Sequence, residues 1–192
     1  MAKLDAPAPV LAPGVRLPRR VTLRNGAQVV LRAIRPEDRQ PLAEGFGRLS
    51  ERSRQLRFLE ARSELTDAEL TFLTEVDGQH HLAIVCVATD GEQESHGLGV
   101  ARFIQLPQEP TTAEIAVTVV DSAQGLGIGS LLAAELVQAA RALGIEKFRA
   151  LMISSNGQMM TLMQKIDPGA VVRGRGPEIV VDSLVSPNLA SS

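Results

Sequence analysis

The chain's 192 residues suffice for one domain of ordinary size and fall short of two. Hydrophobic residues make up 44%, which excludes a disordered chain, and a formal charge of −2 with 3% aromatic residues offers nucleic acid neither a basic surface nor stacking platforms. The single cysteine excludes a disulfide framework, the three histidines lack ligand spacing for a metal, and no apolar run approaches the roughly 20 residues of a membrane span.

Residues 1–19 are rich in alanine and proline and read as a flexible arm. Asp5 and repeated prolines interrupt any leader-like apolar stretch, so a cytoplasmic protein is expected. Val21–Arg24 and Ala27–Arg32 flank Asn25-Gly26, a pair suited to a type I′ hairpin turn. Pro36-Glu37-Asp38 opens a helix to about Leu49, irregular at Pro41 and Gly45, and Ser50 caps a second that carries Arg54 and Phe58. Thr66-Asp67-Ala68-Glu69 has the capping-box pattern and opens a helix with Leu70, Phe72 and Leu73 inward.

Leu82–Ala88 is an apolar strand that holds Cys86 as a small buried hydrophobe. A polar turn over 90–95 leads to its antiparallel partner, Gly97–Leu106, and Pro107–Pro110 breaks the chain before the strand Ala113–Val120. Leu131, Leu132, Leu136 and Ala140 give helical spacing to Gly127–Leu143, which Gly144 ends. A strand follows over Phe148–Ser154, then a helix over Asn156–Ile166 with Met159, Leu162, Met163 and Ile166. Short strands at 170–173 and 179–184 precede a tail at 186–192. Strand, helix and strand over 113–154 form a crossover unit with parallel neighbours, and the hairpins around it are antiparallel. The expected fold is α/β: a mixed, mostly antiparallel sheet with helices on both faces, in one domain over residues 20–185.

Gly125, Gly127 and Gly129 alternate immediately before a helix. Glycine lets backbone approach a ligand closely, and the free N–H groups of a helix N-terminus suit an anion such as a pyrophosphate. The loop has no lysine, which excludes a P-loop. A dinucleotide turn needs glycine where Ser130 stands and an acid at the end of the next strand, which reads Ile153-Ser154-Ser155. A glycine-rich turn chosen only for tight packing is the remaining alternative.

Gln124-Gly125-Leu126-Gly127-Ile128-Gly129 resembles the Q/R-x-x-G-x-G/A motif of the GNAT family of N-acetyltransferases. Asn156 through Ile166, N-G-Q-M-M-T-L-M-Q-K-I, is similar to that family's second segment, commonly N-x-x-A-x-x-L-Y-x-K-x-G-F. The stretches Leu31–Asp38, Arg48–Ser50, Arg57-Phe58 and Ala113–Val120 are similar to bacterial protein lysine acetyltransferases. The resemblance covers about residues 20–185. It implies a sheet of about six to seven strands with a splayed parallel pair, acetyl-CoA as acyl donor and no metal. Backbone groups of Val117, Thr118 and Val119 would hold the pantetheine arm. Gln124, Gly125, Leu126, Gly127, Ile128, Gly129 and Ser130 would cradle the pyrophosphate, and Asn156 would touch the cofactor near its arm. The arm of residues 1–19 is too short for the nucleotide-sensing or ligase-like domains fused in some relatives.

Acyl transfer to an amine needs a base, because a lysine with a reference pKa of about 10.4 arrives as ammonium. Glu114, on one strand face with Ala116, Thr118 and Val120, is the candidate, and the related acetyltransferases carry glutamate at this place. A backbone N–H near Val119 is the candidate oxyanion donor. Many family members have a tyrosine where Met163 stands, and this chain has no tyrosine. The thiolate therefore leaves without an enzymic acid or through water. Asp167-Pro168 also replaces the usual Gly-Phe. The expected acceptor is a protein lysine. A small-molecule amine, and a non-catalytic acyl-CoA-binding module, stay open, as does the oligomeric state.

Overall fold

The computed structural model describes residues 15–59 and 62–185. The expected tail over 186–192, and residues 1–14 of the expected arm, lie outside the described residues. Val15 and Leu17 pack against the main core.

The strands are β1 (Arg19–Thr22), β2 (Gln28–Ala33), β3 (His81–Asp90), β4 (Gln93–Leu106), β5 (Glu109–Val119), β6 (Lys147–Ile153), β7 (Val171–Arg173) and β8 (Glu178–Leu184). They form one 8-stranded sheet in the order β1-β2-β3-β4-β5-β6-β8-β7, somewhat larger than the resemblance implied. Only β5 and β6 run parallel, as the crossover pattern required. The helices are α1 (Arg39–Gly47), α2 (Glu51–Phe58), α3 (Asp67–Thr74), α4 (Ile128–Ala142) and α5 (Gly157–Ile166).

The two sheet faces are filled differently. Leu31, Ala101, Phe103, Ile115 and Phe148 turn to α4 and α5, meet Leu132, Leu136 and Met163, and form the large core. Ile34, Ala83, Val85 and Val87 turn to the opposite face and form a small cluster with Leu42, Val76 and Val100. That face also buries Arg32 and Arg102.

Local chemistry set the element ends much as expected. Ser50 Oγ accepts from the Ser53 N–H at 3.2 Å, and Thr66 and Glu69 make the reciprocal capping box. Three details differ from expectation. The first hairpin does not use a two-residue type I′ turn. Of Asn25 and Gly26 only Gly26 has positive φ (85°), and the Leu23 N–H donates to the Ala27 carbonyl at 2.9 Å around a three-residue loop. Phe72 is 54% exposed rather than inward, because Leu70, Leu73 and Thr74 occupy the i, i+3 and i+4 positions toward the sheet. Strand β5 begins at Glu109, with Pro110 inside it, so the turn before it is shorter than Pro107–Pro110 suggested.

Candidate active site

Strands β5 and β6 pair only through Thr112↔Lys147, Ala113↔Phe148 and Glu114↔Arg149, although β5 continues to Val119 and β6 to Ile153. They therefore part beyond Glu114 and leave a wedge-shaped gap. The closed end of the wedge is clamped. Arg149 donates to Glu109 and to Asp182 (2.9 Å), and Lys147 Nζ reaches Glu109 at 3.2 Å. Hydrogen bonds from Arg149 and Lys147 pull the Glu109 carboxyl down to about 2.

Which β5 groups face the gap follows from its pairing with β4. The Val120 N–H donates to the Leu98 carbonyl at 2.9 Å, and hydrogen-bonded pairs alternate along an antiparallel ladder. Ala116 and Thr118 thus spend their backbone groups on β4, while Val117 and Val119 turn theirs into the gap. The Val119 carbonyl there accepts from Gln124 Nε2 at 3.2 Å. The sequence grouped Val117, Thr118 and Val119 as backbone contacts; the register leaves Thr118 only its side chain, on the face shared by Glu114 and Ala116. Glu114 is exposed and stands at the last pair before the strands part.

The loop after β5 enters α4 through Gly125 (φ 79°) and Gly127 (φ 88°), a left-handed region that L side chains avoid. Among the described residues no side chain caps α4. Its first internal bond is from the Leu131 N–H to the Gly127 carbonyl at 3.0 Å, so the N–H groups of Ile128, Gly129 and Ser130 precede the helical ladder. Such donors, with the helix dipole behind them, suit a phosphate group. Gly129 has ordinary helical φ, and a Cβ added there would meet only Val119 Cγ2 at 3.9 Å. Leu126 is half-buried against the core.

Helix α5 completes this end of the groove. Asn156 Oδ1 accepts from the Met159 N–H at 3.0 Å and so caps the helix, while Gln158 Nε2 donates to Gln124 Oε1 at 3.1 Å. Lys165 Nζ lies 3.2 Å from Ser130 Oγ and brings a cation to a loop that has none of its own. Reasoning confined to the loop missed Lys165; its signal was the lysine within the Asn156–Ile166 segment. Met163 is fully buried, and its carbonyl accepts from Ser183 Oγ at 3.1 Å. The Asp167 carboxylate accepts from the N–H groups of Gly169 (2.8 Å) and Leu184 (2.9 Å).

Helix α2 closes the other side. Asp121 accepts from Ser50 N (2.9 Å), Ser50 Oγ (2.8 Å) and Ser53 Oγ (2.9 Å), binding the helix start to the glycine loop. Burial opposes its charge, yet these bonds hold its carboxyl below the usual range. Arg57, near the other end of α2, stacks 4.7 Å from the Phe58 ring centre. Burial pushes its pKa down, and the charge of Glu114 opposes that shift.

These elements enclose a groove of about 1780 Å³, lined by Glu114–Val119, Gln124–Leu131, Asn156, Lys165 and the inner face of α2. A separate cavity of about 250 Å³ lies under α1 and α3 and meets the groove at Arg57, Phe58 and Thr118, which line both. Among the described residues no group of three or more His, Cys, Asp or Glu side chains could hold a metal ion, and no helix is long and apolar enough to cross a membrane.

Comparison with known proteins agrees with this geometry. Residues 28–167 match the family model of the acetyltransferase (GNAT) domain. The chain is similar to acetyltransferase PA5475 of Pseudomonas aeruginosa, 33% identical over 73% of this chain and 75% of that one. It is also 34% identical to acetyltransferase Pat of Mycolicibacterium smegmatis over 79% of its own length, spanning 44% of that longer protein. Among solved structures, the GNAT domain of S. lividans PAT superposes with a TM-score of 0.75 at 22% identity, over 87% of this chain and 96% of that one. The fold is shared with yncA of Salmonella typhimurium, solved with its cofactor acetyl-CoA, at a TM-score of 0.63 and 19% identity over 84% of this chain and 96% of that one.

Proposed function

Because this chain belongs to the GNAT family of acetyltransferases, we propose that it moves the acetyl group of acetyl-CoA to a protein lysine ε-amine, with Glu114 as general base. The observation that carries this reading is the parting of β5 and β6 directly beyond Glu114, with the N–H groups of Val117 and Val119 facing the gap.

Acetyl-CoA supplies an electrophilic thioester carbonyl when bound. The groove fits such a donor: the N–H groups of Ile128, Gly129 and Ser130 and the Lys165 ammonium suit its pyrophosphate, and Val117 and Val119 suit the amides of its arm. Asn156 and Thr118 line the same groove. Glu114 takes the proton from the incoming ammonium and so exposes the attacking lone pair. The Val119 N–H donates to the carbonyl oxygen as negative charge gathers there. No tyrosine is available to protonate the departing thiolate. A thiol pKa of about 8.5 makes unassisted departure, or protonation by water, chemically sound.

The width of the groove favours a protein acceptor. A small-amine pocket would be closed and acidic, whereas the cavity nearby is lined by three arginines, Arg32, Arg57 and Arg102, and two carboxylates, Asp38 and Glu94. The curated relatives, both named acetyltransferases, support acetyl transfer as the reaction. A cytoplasmic setting, where lysines and acetyl-CoA meet, goes with it.

Calorimetric titration with acetyl-CoA, alongside NAD and ATP, tests the cofactor first. Binding of a nucleotide in place of acetyl-CoA would overturn the reading of Gln124–Ser130. Glu114→Gln should then lower transfer to lysine peptides by about 10²–10⁴-fold while leaving acetyl-CoA affinity unchanged. Full activity in that variant would remove Glu114 from the mechanism.

A further inference from the structure

The cavity under α1 and α3 is not used by acetyl transfer, and its charges do not balance locally. At one end Arg32 makes bidentate bonds to Asp38 (2.7 and 2.8 Å) and also bonds Glu94 (2.9 Å), so one cation meets two carboxylates. At the other end stand Arg57 and Arg102. Among the described residues neither has a carboxylate within ion-pair distance. Arg102, 3% exposed, uses only Nη1, which donates to the Leu73 carbonyl at 3.0 Å and to His81 Nε2 at 3.1 Å. Both acceptors are neutral, since burial and Arg102 itself push the His81 pKa down to about 4. Arg57 lies against the Phe58 ring and feels Glu114 only through space. Burial and mutual repulsion weaken the Arg102 charge, to a pKa of about 9.

Buried guanidiniums are ordinarily paired, and an unpaired one is costly. Here the unused N–H groups border an open space instead of a carboxylate. The rest of that wall is apolar, with Phe46, Leu73, Val85 and Val100. The space of about 250 Å³ equals roughly eight waters at about 30 Å³ each. An occupant must therefore be small, carry one anionic group and have an apolar body.

We propose that this cavity is a binding site for a small aliphatic monocarboxylate, whose carboxylate pairs with Arg102 and Arg57 and whose hydrocarbon body fills the space beneath α1. The planar guanidinium fork matches a carboxylate, and the apolar side chains around it strengthen the pairing. Because Arg57, Phe58 and Thr118 also line the acetyl-CoA groove, occupation of the cavity fixes α2 beside Glu114 and couples the two sites.

The test is calorimetric titration of the whole chain with isovalerate, with its uncharged isostere isovaleramide, and with isopentylamine. Acetyl-CoA is titrated into the same preparation. Isovalerate should bind at millimolar concentration or tighter, with the amide and amine at least tenfold weaker. Arg102→Met and Arg57→Gln should each lose tenfold or more of isovalerate affinity, and Arg57→Gln carries the test if Arg102→Met does not fold. Equal binding of acid and amide overturns the proposal. So does an absence of isovalerate binding, or undiminished binding in the folded variants. In each of those cases intact acetyl-CoA binding leaves the acetyltransferase reading standing, whereas loss of acetyl-CoA binding with isovalerate binding retained does the reverse.

Discussion

One sheet carries two unlike faces. Toward α4 and α5 it presents apolar side chains that interlock with Leu132, Leu136 and Met163, all essentially without solvent exposure. Toward α1, α2 and α3 it presents a small apolar cluster, two buried arginines and a cavity, across which stands the half-buried Arg57 of α2. The first face is what stability demands, since close packing and removal of apolar area dominate folding. The second face is underfilled and charged, a combination that hydrophobic packing alone does not select. Glu114 and Thr118 belong to that second face, and Arg57 of α2 stands over it. The dry face thus holds the sheet rigid while the wet face is shaped for chemistry.

Cavity-forming substitutions break the comparison most sharply. Leu136→Ala, in the fully packed face, should cost about 2–5 kcal/mol. Val85→Ala removes less apolar material and borders space that already exists, so it should cost about 1 kcal/mol or a little more. Denaturant unfolding of both variants measures the difference. Equal costs would mean that the second face is as tightly packed as the first.

Acid should loosen the wet face selectively. His81 is neutral in the folded protein, its pKa pushed from 6.5 to about 4 by burial and then by Arg102. The unfolded chain binds a proton that the folded chain refuses between those values. Stability is therefore complete above about pH 6.5 and falls as pH drops toward 4, by an amount on the order of 3 kcal/mol for the full shift. Asp121, with its carboxyl held below the usual range, adds loss only at lower pH still. His81→Asn should flatten the profile between pH 6.5 and 4 in thermal unfolding. An unchanged profile would assign that acid sensitivity to other groups.

The dry face was legible in the sequence because it obeys period. Leu131, Leu132, Leu136 and Ala140 announced α4, the apolar run at 82–88 announced β3, and the crossover spacing announced the parallel pair. The glycine loop and Glu114 were legible because turn conformation and strand alternation act locally. Much of the wet face was not. Arg102 reads as an ordinary charge in a strand, and nothing local says that its strand neighbours turn it inward beside Arg57. Lys165 reaches Ser130 across 35 positions of chain, a distance that no periodicity reports. The Asn25-Gly26 turn failed for a different reason: the pair permits two loop geometries, and strand register chose between them.

The smallest effects separate glycines that the sequence treats alike, in the loop that joins the two faces. Gly127 caps α4 at φ 88°, so an alanine there meets left-handed strain whatever space surrounds it. Gly127→Ala should cost about 1–2 kcal/mol of stability. Gly129 lies inside α4 with ordinary φ, and its added methyl would touch Val119 at van der Waals distance. Gly129→Ala should therefore be neutral or gain about 0.5–1 kcal/mol, as alanine does in helices. Any loss of acetyl-CoA affinity in Gly129→Ala would then report ligand approach rather than folding, because its backbone needs no glycine. Equal destabilisation by both substitutions would show that this glycine serves the turn after all.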